Sequence, residues 1–112
     1  MENKNTKYYI YILNCNGDML YTGITTDYKR RFEEHTGING TKKGAKFTRA
    51  YKPSEIVALW ETEDRSSALR LEAQIKKLKK EDKLSLIANN SWFKKFFFDK
   101  LDISKYKKKR KH

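Results

Sequence analysis

A small set of polar side chains in this 112-residue sequence has the types and the spacing that phosphodiester hydrolysis needs. The set comprises two phenols, a guanidinium, an imidazole and a carboxylate, from Tyr11, Tyr21, Arg31, His35 and Glu72. The planar fork of arginine suits the charge that develops on a pentavalent phosphorane. A single carboxylate is enough to hold Mg²⁺, which keeps waters and substrate oxygens among its ligands. A tyrosine, with an ordinary pKa of about 10, needs a nearby cation before it can act as a base at neutral pH.

Three of these residues fall on helix faces that the hydrophobic pattern assigns to the core. At about 100° per residue, Arg31 and His35 share one side of a helix with Tyr28 and Phe32. Glu72 lies inside the apolar arc of a second helix. Two plainer interpretations stay open, in which Glu72 pairs with a lysine at the rim and His35 is a hydrogen-bonded packing residue. So many inward polar groups in so short a chain indicate a cleft, because buried polar groups are costly without partners.

The elements that must position these residues form a small α+β domain. Aromatic and β-branched runs predict strands over 7–13, 19–25 and 55–61, the first two joined as an antiparallel hairpin. Asp27 can cap a helix over 28–36, and Asp64 or Ser66 can cap the helix that carries Glu72. A short helix over 81–87, with Leu84 and Ile87 on one face, and a helix over 92–103 follow. The segment 38–54 is predicted to be a long loop.

The basic residues of the chain are concentrated in two places. Of a net charge of +12, residues 94–112 carry +7, from nine Lys or Arg and two Asp. The last eight residues, 105–112, are expected to be disordered in isolation because like charges repel one another. The second cluster lies in the predicted loop and comprises Lys42, Lys43, Lys46, Arg49 and Lys52. Such clusters attract phosphate backbones, although lysines that only keep a small domain soluble are the alternative.

Length and composition exclude several classes of protein. The chain has the length of one domain, and no stretch approaches the roughly 18–20 apolar residues of a membrane span. The first seven residues contain no apolar segment typical of a signal peptide. A single cysteine, Cys15, permits neither an internal disulfide nor a multi-cysteine metal site. We therefore expect a cytoplasmic protein with no membrane partner.

The spacing of the tyrosines resembles that of a known family. Tyr9-Ile10-Tyr11, with Tyr21-Thr22-Gly23 beginning ten residues after Tyr11, is similar to the paired motif of the GIY-YIG nuclease superfamily. Arg31, His35 and Glu72 stand where that family has its arginine, histidine and metal-binding glutamate. The resemblance covers residues 7–88. It is strongest to the short, single-domain bacterial branch, which is related to an N-terminal domain of the bacterial excinuclease and to structure-specific endonucleases.

The resemblance implies a three-stranded antiparallel sheet flanked by helices, and cleavage of DNA with Mg²⁺ or Mn²⁺. It assigns the base to Tyr11 or Tyr21, transition-state stabilisation to Arg31, an assisting or orienting role to His35, and the metal to Glu72. The nuclease domain would span 1–88, with 89–112 as an aromatic and lysine-rich extension.

Two positions depart from the motif of the family. Tyr9 occupies a glycine position, and Ile24 follows Gly23 where several branches carry lysine. Lys46 or Arg49 could substitute for that lysine as a cation that acidifies the base, and a metal-bound water and Arg31 are the other candidates.

Two other kinds of function remain open at this point. The first is a non-catalytic module that binds DNA, or RNA, through the basic loop and tail. The second is a docking or dimerisation helix within 92–103 that delivers the domain to a protein partner.

Overall fold

A computed structural model describes residues 6–36 and 50–110 of the protein, and in this part the chain forms a four-stranded antiparallel sheet with four α-helices. The strands are β1 (Tyr8–Cys15), β2 (Met19–Thr25), β3 (Pro53–Thr62) and β4 (Lys107–Lys108). The helices are α1 (Tyr28–Thr36), α2 (Arg65–Lys77), α3 (Lys80–Ala88) and α4 (Ser91–Phe97). The strand order is β2-β1-β3-β4, so β1 lies inside the sheet.

A tight turn sets the register of the β1–β2 hairpin. Residues Asn16–Asp18 form one turn of 3₁₀ helix in which Gly17 has φ = 75° and Asp18 has φ = 58°. Glycine adopts this left-handed backbone without steric cost, and aspartate tolerates it better than most residues. The resulting register places Tyr11 directly opposite Gly23. The predicted hairpin and the bounds of β2 are confirmed.

The two faces of β1 serve two different layers. Because side chains alternate along a strand, Ile10 and Ile12 point to one face and Tyr11 and Leu13 to the other. The first face packs against α2, α3 and α4 in a cluster of buried residues: Ile10, Ile12, Ala58, Trp60, Ala68, Leu71, Ile75, Leu86, Phe93 and Phe97. The second face packs against Tyr28 and Phe32 of α1. The candidate residues Tyr11 and His35 therefore belong to the α1 side of the sheet.

Aspartate side chains cap the N-termini of the two helices that carry candidate residues, α1 and α2. The Oδ1 of Asp27 accepts a hydrogen bond from the backbone N–H of Arg30 at 3.1 Å. Asp64 accepts from the backbone N–H of Ser67 at 2.7 Å, which lowers the pKa of its carboxyl. Both bonds satisfy donors that a helix N-terminus otherwise leaves unpaired. The predicted start of α1 is confirmed, and Asp64 rather than Ser66 caps α2.

The C-terminal part differs from the prediction. The expected helix over 92–103 ends at Phe97, and the chain then returns to the sheet as β4, a fourth strand beside β3. The backbone N–H of Lys109 donates to the carbonyl of Leu59 at 2.8 Å. An edge strand offers unpaired backbone groups that even a lysine-rich segment can satisfy, so Lys107 and Lys108 pair with the sheet. The expected disorder concerned residues 105–112 in isolation and stays a prediction. Residues 111 and 112 lie outside the described residues.

Smaller departures concern apolar faces and element ends. Leu84 and Ile87 share one face of α3 as predicted, but the fully buried residue of this helix is Leu86, while Leu84 is 48% exposed. Its apolar residues surround much of this short helix, and the neighbouring helices decide which of them is covered. β3 begins at Pro53, inside the predicted loop. Within the described residues, no helix has the length and apolar character needed to cross a membrane.

Residues on both sides of position 88 share one core. Phe93 and Phe97 of α4 lie in the same buried cluster as Ile10 of β1. This packing joins residues 89–110 closely to the sheet. The division into a nuclease domain over 1–88 and an extension over 89–112 stays a prediction.

Candidate active site

Two tyrosines and a histidine meet on the α1 side of the sheet. The Oη of Tyr11 lies 2.9 Å from Nε2 of His35, and both residues are only 3% exposed. The ring of Tyr21 lies 5.1 Å from that of His35 and 6.3 Å from that of Tyr11, measured between centroids. Tyr21 is two residues from the position opposite Tyr11, so both phenols project from the same face of adjacent strands. The structure thus brings three of the predicted site residues into one cluster.

The absence of a side chain at Gly23 makes room for the ring of Tyr11. A Cβ at position 23 would lie 2.5 Å from the Oη and 2.7 Å from the Cζ of Tyr11. These distances are far below van der Waals contact, and Gly23 is itself buried. The glycine is therefore required by close packing against the phenol that bonds to His35.

Arg31 reaches the same cluster from α1. Its Nη1 donates to Oε1 of Glu34 at 2.8 Å, and its side chain is 27% exposed. Although burial lowers the pKa of the Arg31 guanidinium, hydrogen bonding to Glu34 and the charge of Tyr11 raise it overall. Glu34 was not among the predicted site residues. The signal for it was its i,i+3 and i,i+4 spacing from Arg31 and Arg30, which form ion pairs with it.

Burial keeps the phenol and the imidazole neutral. It raises the pKa of Tyr11 well above the ordinary value, with a further increase from Tyr21 that the nearby charge of Arg31 partly offsets. Burial, together with the charge of Arg31, lowers the pKa of His35 to about 4, although the charge of Glu34 opposes this shift. At neutral pH the bond between Tyr11 and His35 therefore joins an un-ionised phenol to an un-ionised imidazole.

The low pKa of His35 predicts a specific loss of stability in acid. The unfolded chain, in which this imidazole has its ordinary pKa of 6.5, binds the proton first as the pH falls. The free energy of unfolding should therefore decrease between pH 6.5 and about 4, by on the order of 3 kcal/mol from this group. Urea unfolding at several pH values, for the protein and for His35→Gln, measures this contribution. Identical pH slopes for the two proteins would contradict the assignment.

Glu72 approaches the cluster from a different layer. Its helix, α2, packs on the opposite face of the sheet through Leu71 and Ile75. Its Oε2 lies 3.4 Å from Nζ of Lys76, the rim pairing that the sequence left open, and the side chain is 19% exposed. The Glu72 carboxylate nevertheless contributes to raising the pKa of Tyr11, which places it within electrostatic range of the phenol.

The two departures from the tyrosine motif have different structural consequences. Tyr9 packs its ring edge-to-face against Tyr28 in the first turn of α1, with centroids 5.0 Å apart. It therefore supports the helix that carries Arg31 and His35. At the other departure, Ile24 supplies no positive charge. Among the described residues, Arg31 partly offsets the raised pKa of Tyr11 through its charge and a hydrogen bond.

The predicted nucleic-acid contacts lie mostly beyond the described residues. Lys42, Lys43, Lys46 and Arg49 fall outside the described ranges, 6–36 and 50–110. Lys52 is exposed, and its carbonyl accepts a hydrogen bond from the backbone N–H of Asn16 at 2.9 Å. The contribution of the basic loop to the site therefore stays a prediction.

A metal at this site would depend on few protein ligands. Across the described ranges, no three His, Cys, Asp or Glu side chains come together in a position to share a metal ion. Mg²⁺ differs from metals that need such a cage, because it binds through one or two carboxylates and keeps several waters. The partly exposed carboxylate of Glu72, in range of Tyr11, fits a hard cation of this kind.

Comparisons with known proteins agree on one family. Residues 7–85 match the model of the GIY-YIG catalytic domain. A UPF0213 protein of Cupriavidus necator is 43% identical over 84 residues, which are 75% of this chain and 87% of that protein. Another, from Desulfotalea psychrophila, is 36% identical over 103 residues, 91% of each chain. The solution structure of a UPF0213 protein from Bacillus halodurans, 33% identical, covers 85% of this chain and 98% of its own, with a TM-score of 0.47.

Proposed function

The chain belongs to the GIY-YIG family of the nuclease superfamily, as its match to the catalytic domain and its similarity to the UPF0213 proteins show. We propose that it is a divalent-metal-dependent nuclease that hydrolyses phosphodiester bonds of DNA. The observation that best supports the proposal is the buried contact between Tyr11 and His35, beside Arg31 and Tyr21. A phenol, an imidazole and a guanidinium held together supply a proton acceptor and a cation for a phosphate.

The contact between Tyr11 and His35 suggests a route for the proton of the attacking water. Burial makes the Tyr11 phenolate costly, so the phenol does not act well as a base by itself. It can instead take the proton of water on Oη while its own proton passes to the neutral Nε2 of His35. The new hydroxide bonds to phosphorus, the bond from phosphorus to the leaving oxygen breaks, and that oxygen takes a proton from solvent. Arg31, charged and 27% exposed, stabilises the negative charge on the phosphoryl oxygens.

A divalent cation fits the same scheme through Glu72. A bound Mg²⁺ or Mn²⁺ would offset charge on the phosphate oxygens and on the leaving group. Glu72 would hold it with a carboxylate that in the present structure pairs with Lys76. Since Lys76 is on the outer part of α2 and 55% exposed, it can release the carboxylate at little cost.

Substitution of Glu72 tests the metal-binding role. We expect Glu72→Gln to reduce cleavage at least about 100-fold and to weaken Mn²⁺ binding, because an amide replaces the anionic ligand. Titration with Mn²⁺ and cleavage assays with flapped, branched and linear DNA provide the measurements. Glu81→Gln, on the exposed surface of α3, is the matched control and should behave like the unmodified protein. Undiminished cleavage by Glu72→Gln would remove the glutamate from the mechanism.

A non-catalytic nucleic-acid-binding module is the second candidate. Two observations favour it: the raised pKa of Tyr11, and the pairing of Glu72 with Lys76. This candidate predicts salt-sensitive DNA binding without cleavage in Mg²⁺ or Mn²⁺, unchanged by substitution of Arg31 or Glu72. The same panel of DNA substrates separates the two candidates, because only a nuclease yields shortened products.

A further inference from the structure

The net positive charge of the described residues lies almost entirely in one segment. Residues 6–36 contain four Lys or Arg and four Asp or Glu, so the part with most of the candidate site is electroneutral. Residues 50–88 contain eight basic and seven acidic residues. Residues 89–110 contain eight basic and two acidic residues, a net charge of +6. Among the parts of the chain that the structure describes, attraction of a polyanion therefore has its main source in 89–110.

Helix α4 places aromatic rings among these lysines. Its inward residues, Phe93 and Phe97, are buried in the core. Trp92 and Phe96, which are partly buried against the core, stack with centroids 5.5 Å apart, and Nζ of Lys95 lies 4.7 Å from the centroid of the Trp92 ring. This flank of the helix carries a cation on a surface of aromatic rings.

Phe98 is the most exposed ring of the segment. It follows the last turn of α4 with helical backbone angles, and 66% of its surface is open to solvent. Its backbone N–H donates to the carbonyl of Lys94, one turn earlier, so the side chains of Lys94 and Phe98 lie on the same side of the helix. Lys100 is exposed two residues further along. A flat apolar ring is thus open to solvent, on the same side of the helix as Lys94 and followed in sequence by Asp99 and Lys100.

The segment is a fixed part of the domain. Tyr106 donates from its Oη to the carbonyl of Ser67 in α2 at 2.7 Å, and the backbone of Lys109 bonds to Leu59 in β3. Phe97, next to the exposed ring, is 1% exposed. The backbone on both sides is held against the core. Binding of a ligand here therefore costs the protein little conformational entropy.

We propose that residues 89–110 form a second nucleic-acid-binding surface, distinct from the candidate active site, which binds a single-stranded region. A base stacks on Phe98, and Lys94, Lys95 and Lys100 contact the flanking phosphates. Stacking on an exposed ring requires an unpaired base, since the bases of a duplex are already stacked on each other. One exposed ring beside lysines is a smaller apolar surface than a stable protein–protein interface buries. This inference about the substrate rests on the proposed nuclease function. It predicts that the nuclease prefers DNA with a single-stranded arm.

Binding measurements without metal test the surface independently of cleavage. We would measure fluorescence anisotropy of a labelled oligothymidylate and of a labelled duplex of equal length, with the full chain in EDTA. Phe98→Ala should weaken binding of the single strand about 5- to 100-fold, the loss of one stacked base, and leave duplex binding within about twofold. Lys94→Glu with Lys100→Glu should weaken both and reduce the salt dependence of binding. The matched control is Lys77→Glu with Lys79→Glu, which makes the same charge change at two exposed lysines outside residues 89–110.

Three results would overturn the proposal. The first is single-strand binding by Phe98→Ala equal to that of the unmodified protein, when thermal unfolding shows that both are folded. The second is an equal loss of binding in the control pair, which would indicate general charge attraction. The third is binding to anionic lipid vesicles that requires Phe98 while oligonucleotide binding does not, which would indicate a membrane surface. Failure of the proposed nuclease function is distinguishable, because it would abolish cleavage without changing these affinities.

Discussion

Gly23→Ala is expected to destabilise the protein and to abolish most of its proposed DNA cleavage. The added methyl group would lie 2.5 Å from the Oη and 2.7 Å from the Cζ of Tyr11, so the ring must move. Overpacking of this kind costs about 1–3 kcal/mol in the free energy of unfolding. Displacement of the ring also breaks its bond to Nε2 of His35, and a misplacement of about 1 Å at a reacting group can reduce the rate about 100-fold.

A second substitution shows whether the Tyr11 ring is the cause of this loss. In a Tyr11→Ala background the space opposite residue 23 is empty, so Gly23→Ala should then change the free energy of unfolding by less than about 0.5 kcal/mol. Urea unfolding of the four proteins in this cycle gives the coupling between the two positions. Equal destabilisation in both backgrounds would mean that the backbone of β2, and not the phenol, needs the glycine.

The sequence predicted the elements whose signals are local. The side chain of Asp27 caps the start of α1, and β2 follows a turn in which Gly17 has a left-handed backbone conformation. Such signals act over a few residues and are visible in one stretch of chain. The C-terminal return could not be predicted in this way, because Lys107 and Lys108 have no strand pattern of their own. They pair with Glu61 and Trp60, and that edge exists only after the sheet has formed.

The candidate site shows the same limit. Periodicity placed Arg31 and His35 on the inner side of α1, and the strand pairing brings Tyr11 and Tyr21 to the same place. The particular bond between Tyr11 and His35 depends on the distance between α1 and the sheet, which no sequence pattern specifies. The shifted pKa values depend on burial and are equally inaccessible from sequence. The helical periodicity is therefore compatible with two interpretations of His35. One is a hydrogen-bonded packing residue, and the other is a proton acceptor.

Arg31 is the residue whose loss should reduce cleavage most without unfolding the protein. Its charge and its hydrogen bond partly offset the raised pKa of Tyr11, and its side chain remains 27% exposed, so a phosphate can reach it. Removing a charged donor aimed at a developing negative charge typically costs about 100- to 1,000-fold in kcat. We expect a loss of this size for Arg31→Ala, and a smaller one for Arg31→Lys, which keeps the charge but not the fork.

The neighbouring arginine provides the control for this prediction. Arg30 also forms an ion pair with Glu34, whose Oε2 lies 3.8 Å from Nε of Arg30, but the side chain of Arg30 is 61% exposed. Arg30→Ala removes the same charge one residue away, so it reveals how much of the effect is general attraction of DNA. Its cleavage should stay within about twofold of the unmodified protein at moderate salt, because exposed charges are well screened. Since Arg31 and Glu34 form the shorter ion pair, at 2.8 Å, thermal unfolding of both variants must be compared. If Arg30→Ala and Arg31→Ala lose cleavage to the same extent, the arginine beside Tyr11 acts on DNA only through its charge, and the catalytic role proposed for it is wrong.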